Sequence, residues 1–124
     1  MKIRLFVIAL LVAVAGFSAC KKDKSKECDM LSVSIGTATF DKTVTANGGS
    51  FSYQYPKVCD GIDNAPSGAV RANITISPKA ICKPDKDGSY NFANEQTFVV
   101  TAQDGKTSKT YRIQYTKNTT APCP

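Results

Sequence analysis

A chain of 124 residues has room for one ordinary domain and not for two. It contains no histidine and no tryptophan, and its 16 Lys and Arg against 10 Asp and Glu give a net charge of +6. Much of that charge lies ahead of residue 28. From Cys28 onward 10 basic face 8 acidic side chains, and +2 excludes the footprint of a nucleic-acid binder. Without histidine the commonest general base and the usual zinc ligand are gone.

The chain opens with Lys2 and Arg4, followed by an uncharged apolar run, Leu5 to Ala15. A membrane-spanning helix needs about 20 such residues. A shorter run with positive residues before it and small ones after it reads as a secretory signal, here residues 1–19. Phe17-Ser18-Ala19-Cys20 resembles a bacterial lipobox, with Phe17 in place of the usual leucine. The resemblance implies cleavage before Cys20, lipidation of its thiol, and attachment to the membrane through that lipid. Residues 20–27 then form a polar, lysine-bearing tether, read as a solvated spacer whose lysines are within reach of anionic headgroups.

Cysteine arithmetic fits this. Five cysteines leave one over in an oxidising compartment. With Cys20 acylated, Cys28, Cys59, Cys82 and Cys123 can pair, in any of three ways. If the strand after Cys28 runs antiparallel to one ending near Pro56, and the last strand runs parallel to the first, the pairs are Cys28–Cys59 and Cys82–Cys123. No Cys-x-x-Cys spacing is present, so no metal site is expected.

After Cys28 the pattern has period two. Leu31, Val33 and Ile35 alternate with serines. Phe51, Tyr53 and Tyr55 form a second run, and Val70, Ala72, Ile74 and Ile76 a third. Phe98, Val100 and Ala102 form a fourth, and Tyr111, Ile113 and Tyr115 a fifth. Such alternation turns one row of side chains inward and the other to water. Asn47-Gly48-Gly49, Asp87-Gly88 and Asp104-Gly105 supply turn chemistry, and the prolines stand at run ends or in loops. Residues 28–124 are therefore expected to fold as an all-β antiparallel sandwich.

Within it, Phe92-Ala93-Asn94, Phe98-Val99-Val100-Thr101-Ala102, Asp104-Gly105 and Lys109-Thr110-Tyr111 follow one another in a characteristic order. Ile74 to Ala80 fits the strand and Ser-Pro corner that precede them. The segment resembles the C-terminal hairpin of small immunoglobulin-like β-sandwich modules in lipoproteins of Bacteroidota. The resemblance covers about half the mature chain and implies an immunoglobulin-like fold. It also implies a module that accompanies larger glycan-handling surface proteins or stands alone. The cysteines and the stretch Lys57 to Ala69 depart from the family pattern.

The residues offer little for catalysis. Glu95 is the one glutamate after Cys28, and the aspartates sit in turns, where they cap local backbone. Asp85 to Ser89 is only the start of a calcium loop and reads as a polar hairpin. No cofactor is expected. The long stretch Lys57 to Ala69, with Asp60, Asp63 and Asn64 and anchored by Cys59, reads either as an Ω-type connection stapled for stability or as the best place for a partner to bind. Tyr90, outside any alternating run, is the expected exposed aromatic for a sugar. Tyr53, Tyr55, Tyr111 and Tyr115 fall in the inward register. The expectation is a non-enzymatic outer-membrane lipoprotein, facing periplasm or medium, that binds a glycan or an envelope protein. The alternative is a structural spacer packing on another envelope protein through an open sheet edge.

Overall fold

The computed structural model describes residues 24–61, 63–120 and 122–123. The expected signal segment and Cys20 lie outside the described residues. Those described form ten strands and no helix: β1 (Met30–Ile35), β2 (Ala38–Thr39), β3 (Asp41–Thr45), β4 (Gly48–Tyr55), β5 (Val70–Arg71), β6 (Asn73–Ile76), β7 (Ile81–Lys83), β8 (Ser89–Tyr90), β9 (Gln96–Thr101) and β10 (Ser108–Lys117). A three-stranded sheet runs β2-β1-β6, a five-stranded sheet β3-β4-β10-β9-β7, and β5 pairs with β8. Neighbours are antiparallel except β10 and β4, which run parallel from Thr110 opposite Gly48 to Lys117 opposite Tyr55. A parallel pair needs a long crossover, and here residues 56–107 provide it.

The described residues are all-β, and their alternating rows meet in one core. Met30, Val33 and Ile74 from the small sheet pack with Phe51, Phe98, Val100, Tyr111 and Ile113 from the large one. Phe98 stands opposite Tyr111 across the β9–β10 hairpin, as its turn chemistry predicts. That turn closes on Gly105 at φ 71° while the Asp104 carboxylate accepts the N–H groups of Lys106 and Thr107.

The first run is out of phase with its pattern. A bulge between Met30 and Ser32 shifts the β1–β6 register. An extra residue in one strand rotates what precedes it to the other face. Met30 is therefore fully buried and Leu31 is 49% exposed, the reverse of simple alternation.

The cysteine pairing also differs from expectation. Cys59 is bonded to Cys123, with Cα atoms 5.7 Å apart, and Cys28 and Cys82 are free thiols. Neither Cys28–Cys59 nor Cys82–Cys123 forms. The reason is the parallel β4–β10 pair: the chain leaves both strands at the same end, carrying Cys59 and Cys123 together. β1, which lies in the other sheet, runs from the Lys109 end toward the Tyr55 end, in the same sense as β4 and not antiparallel to it as the expected Cys28–Cys59 pairing required. Cys28, 1% exposed, precedes β1 at the opposite end, and Cys82 stands in the edge strand β7 opposite Val100.

That opposite end is tied by polar contacts. The Ser77 N–H donates to the Asp29 carbonyl at 2.8 Å, and the Asp29 N–H to the Ser77 hydroxyl at 2.9 Å. The Lys109 ammonium bonds the Asp29 carboxylate, and the Tyr111 hydroxyl approaches the same oxygen. The Lys109 hydrogen bond is the main cause holding the Asp29 carboxyl below the usual carboxylate range. An acid whose pKa is lowered by folding contributes stability that is fully present above its unfolded value, about 4, and lost as pH falls through the folded one. Denaturation midpoints are therefore expected to fall as pH drops below about 4. Asp29→Asn, compared at matched pH, is expected to flatten that fall, while Asp63 and Asp104, also lowered, supply the remainder.

Candidate functional site

At the end where β4 and β10 finish, the small sheet stops short of covering the large one. β2 has only two residues and turns at Gly36-Thr37. Tyr53, inward by register, is consequently half-buried and not enclosed. Its ring stacks on Phe40 at 5.8 Å and meets Tyr55 edge-on at 4.8 Å, and Tyr55 meets Tyr115 edge-on at 5.2 Å. Burial, with Tyr53 and Tyr115 beside it, raises the Tyr55 phenol above its ordinary pKa, so it stays a neutral donor.

Beside these rings lies a cleft of about 480 Å³, with walls from Gly36 to Ala38, Tyr53, Tyr55 and the loop residues Asn64 and Pro66. The loop is pinned at three points. Cys59 is bonded to Cys123. The Tyr115 hydroxyl donates to the Pro66 carbonyl at 2.8 Å. Lys117 pairs with Asp63 at 2.8 Å, while Asp63 also accepts the Ala65 N–H. The Lys117 bond, more than the backbone one, lowers the Asp63 pKa. A wall held this way loses little freedom when a ligand settles on it.

Of the residues singled out in the sequence, Asn64 lines this cleft. Asp63 is engaged in positioning the loop, and Asp60 is exposed beside Cys59. Tyr90 lies elsewhere and is not a free platform. Its ring is half-buried, edge-on to Phe98 at 5.2 Å and Phe92 at 6.0 Å, and its hydroxyl donates to the Asp85 carbonyl. Pairing of β8 with β5 draws it toward the core, a contact too short to leave an alternating signal. Sequence reasoning assigned Tyr53 to the core. The missing signal was the length of the facing strand, which periodicity in β4 does not carry.

A second hollow of about 340 Å³, lined by Thr45, Asn47, Gly49, Ser50, Thr110 and Arg112, has no aromatic wall. Among the described residues no three His, Cys, Asp or Glu side chains converge to hold a metal. The carboxylates of Asp63, Asp85 and Asp104 accept backbone N–H groups in their own turns, and Glu95 faces Arg112 at 3.6 Å.

No family model and no curated protein matches the chain. Among solved structures it is similar to a "putative glycoside hydrolase" of Bacteroides thetaiotaomicron, with a TM-score of 0.51 and 21% identity over 83% of this chain. The match spans only 28% of that protein, and the likeness is one of fold. A "putative secreted protein" of Bacteroides fragilis is similar over 75% of this chain and 97% of its own length, at 12% identity and a TM-score of 0.46.

Proposed function

We propose that the chain is a non-enzymatic envelope lipoprotein, tethered in the outer membrane through lipid on Cys20, whose immunoglobulin-like sandwich binds a glycan in the Tyr53 cleft. The observation that carries the reading is the pairing of an accessible tyrosine ring with a loop stapled over it. A sugar presents an apolar face that packs on an aromatic ring and hydroxyls that need fixed polar partners, here Asn64 and the turn at Gly36-Thr37. Turn aspartates already committed to backbone N–H groups support a binding role over hydrolysis, which needs two carboxylates free to act on one bond.

The alternative, assembly through an open sheet edge, meets an obstacle at both edges of the large sheet. On β3 the Lys42 side chain turns inward, donating to the Met30 carbonyl at 2.8 Å and lying over the Phe51 and Tyr111 rings. β7 ends at Lys83 followed by Pro84, which has no N–H to offer. Inward charges and proline are the devices that keep edges from pairing.

A glycan array probed with the purified chain tests the proposal. Tyr53→Ala is expected to weaken the best ligand by about thirtyfold, the loss of one aromatic anchor, and Asn64→Ala by less. Tyr90→Ala is expected to cost about 2 kcal/mol of stability while leaving the affinity of the folded protein unchanged. Equal binding by wild type and Tyr53→Ala would remove the cleft from consideration, and an array with no ligand above background would remove the glycan.

A further inference from the structure

The two ends of the sandwich differ in what they present. The cleft occupies one. The chain enters at the other: the Ser25 N–H donates to the Gln103 side chain at 3.2 Å, and the Asp104 N–H to the Ser25 carbonyl at 3.1 Å. β4 separates the ends by roughly 25 Å, eight residues at strand rise. The entry end carries the exposed lysines Lys24, Lys26, Lys79 and Lys106. Its carboxylates are fewer: Glu27 is exposed, Asp29 is paired with Lys109, and Asp104 is bound to backbone N–H groups of its own turn.

One of these lysines sits at a conformational cost. Lys79 has φ 65° in the turn closed by the Ala80 N–H to the Ser77 carbonyl, directly after Pro78. That turn position favours glycine, because a Cβ is crowded there. A charged side chain kept where glycine is cheaper points to a use for the charge.

We infer that this end is a docking surface for anionic lipid headgroups, which aims the cleft away from the bilayer. The inference rests on the proposed tether. From Cys20 to Ser25 the chain reaches at most about 17 Å, so lipid on Cys20 holds the lysine-bearing end close to the headgroups. Over the last Debye length, about 8 Å, the lysines sense the negative surface directly.

The test uses the acylated chain in nanodiscs of phosphatidylcholine alone or mixed with phosphatidylglycerol, with a gadolinium chelate on a lipid headgroup. Amide signals of residues 79–80 and 104–107 are expected to broaden more in the anionic discs than in phosphatidylcholine alone and to lose that excess in high salt, with residues 36–38 and 63–66 the same in both. Lys79→Glu/Lys106→Glu is expected to abolish the contrast. Lys79→Gly is expected to weaken it while raising the denaturation midpoint, a combination that a purely structural lysine does not produce. Similar broadening at both ends, the same pattern without phosphatidylglycerol, or no change in the double variant overturns the docking surface. The intact mass of the membrane-extracted chain is read separately. An unmodified Cys20 overturns the tether and the docking with it, whereas an acylated chain without end-selective broadening overturns the docking alone.

Discussion

Gly48→Ala is expected to cost the fold about 4 kcal/mol, enough to leave a small domain mostly unfolded under mild denaturant. Gly48 has φ 145°, a region that L side chains rarely adopt, and a Cβ there would lie 1.9 Å from the Thr110 carbonyl oxygen. That oxygen belongs to β10, the partner in the parallel pair at the centre of the large sheet, so it cannot move without opening the sheet. Gly49 is similarly restricted, its Cβ position being 2.4 Å from the Thr43 carbonyl oxygen. Gly36 provides the control. Its φ is 57°, but nothing lies within 4 Å of the added carbon, so Gly36→Ala is expected to cost only about 1 kcal/mol. Urea midpoints of the two variants measure the difference. If Gly48→Ala proved no more damaging than Gly36→Ala, the close approach of β4 and β10 would be wrong.

Removal of the disulfide by Cys59→Ser/Cys123→Ser is expected to lower stability by about 2–4 kcal/mol. The bond joins residues 64 apart in sequence, a long loop whose closure strongly restricts the unfolded chain. The same variant frees the loop that walls the cleft at one of its three pins, so ligand affinity is expected to fall more than the lost folded population explains. Peptide mapping without reductant checks the connectivity. It should link the Cys59 and Cys123 peptides, with Cys82 alkylated in the native protein and Cys28 only after unfolding. A Cys28–Cys59 link would contradict the parallel pairing from which the observed bond follows.

The strands of the large sheet's interior were legible because alternation reports burial on one face. Phe98 and Val100 in β9, Ala102 just beyond it, and Tyr111, Ile113 and Tyr115 in β10, are all buried as their spacing predicts. β3 left no such signal. It is an edge strand with every residue exposed, Val44 at 74%, so periodicity had nothing to report. Leu31 was misplaced because a bulge resets phase within a single strand, and composition does not mark where the extra residue falls. Asn47-Gly48-Gly49 read as a turn. Only Ala46 and Asn47 make the turn, and the two glycines belong to β4, where a neighbouring backbone comes too close for any side chain. The cleft was half legible. Its loop stood out as a long proline- and aspartate-bearing connection, but its tyrosine wall depends on how far the opposite sheet extends. That is a property of the assembled layers, and no local pattern records it.

The single parallel pair also sets a schedule for biogenesis. β4 is made long before β10, so Cys59 waits through the synthesis of 64 further residues, about two thirds of the domain, for its partner. During that interval Cys28 and Cys82 are nearer along the chain and equally reactive. An oxidant acting on the nascent polypeptide therefore favours crosslinks the native topology forbids. Protection of Cys28 comes only when β1 docks and seals it. Clean production of the correctly bridged protein thus depends on a thiol isomerase, or on delaying oxidation until the last strand has inserted beside β4.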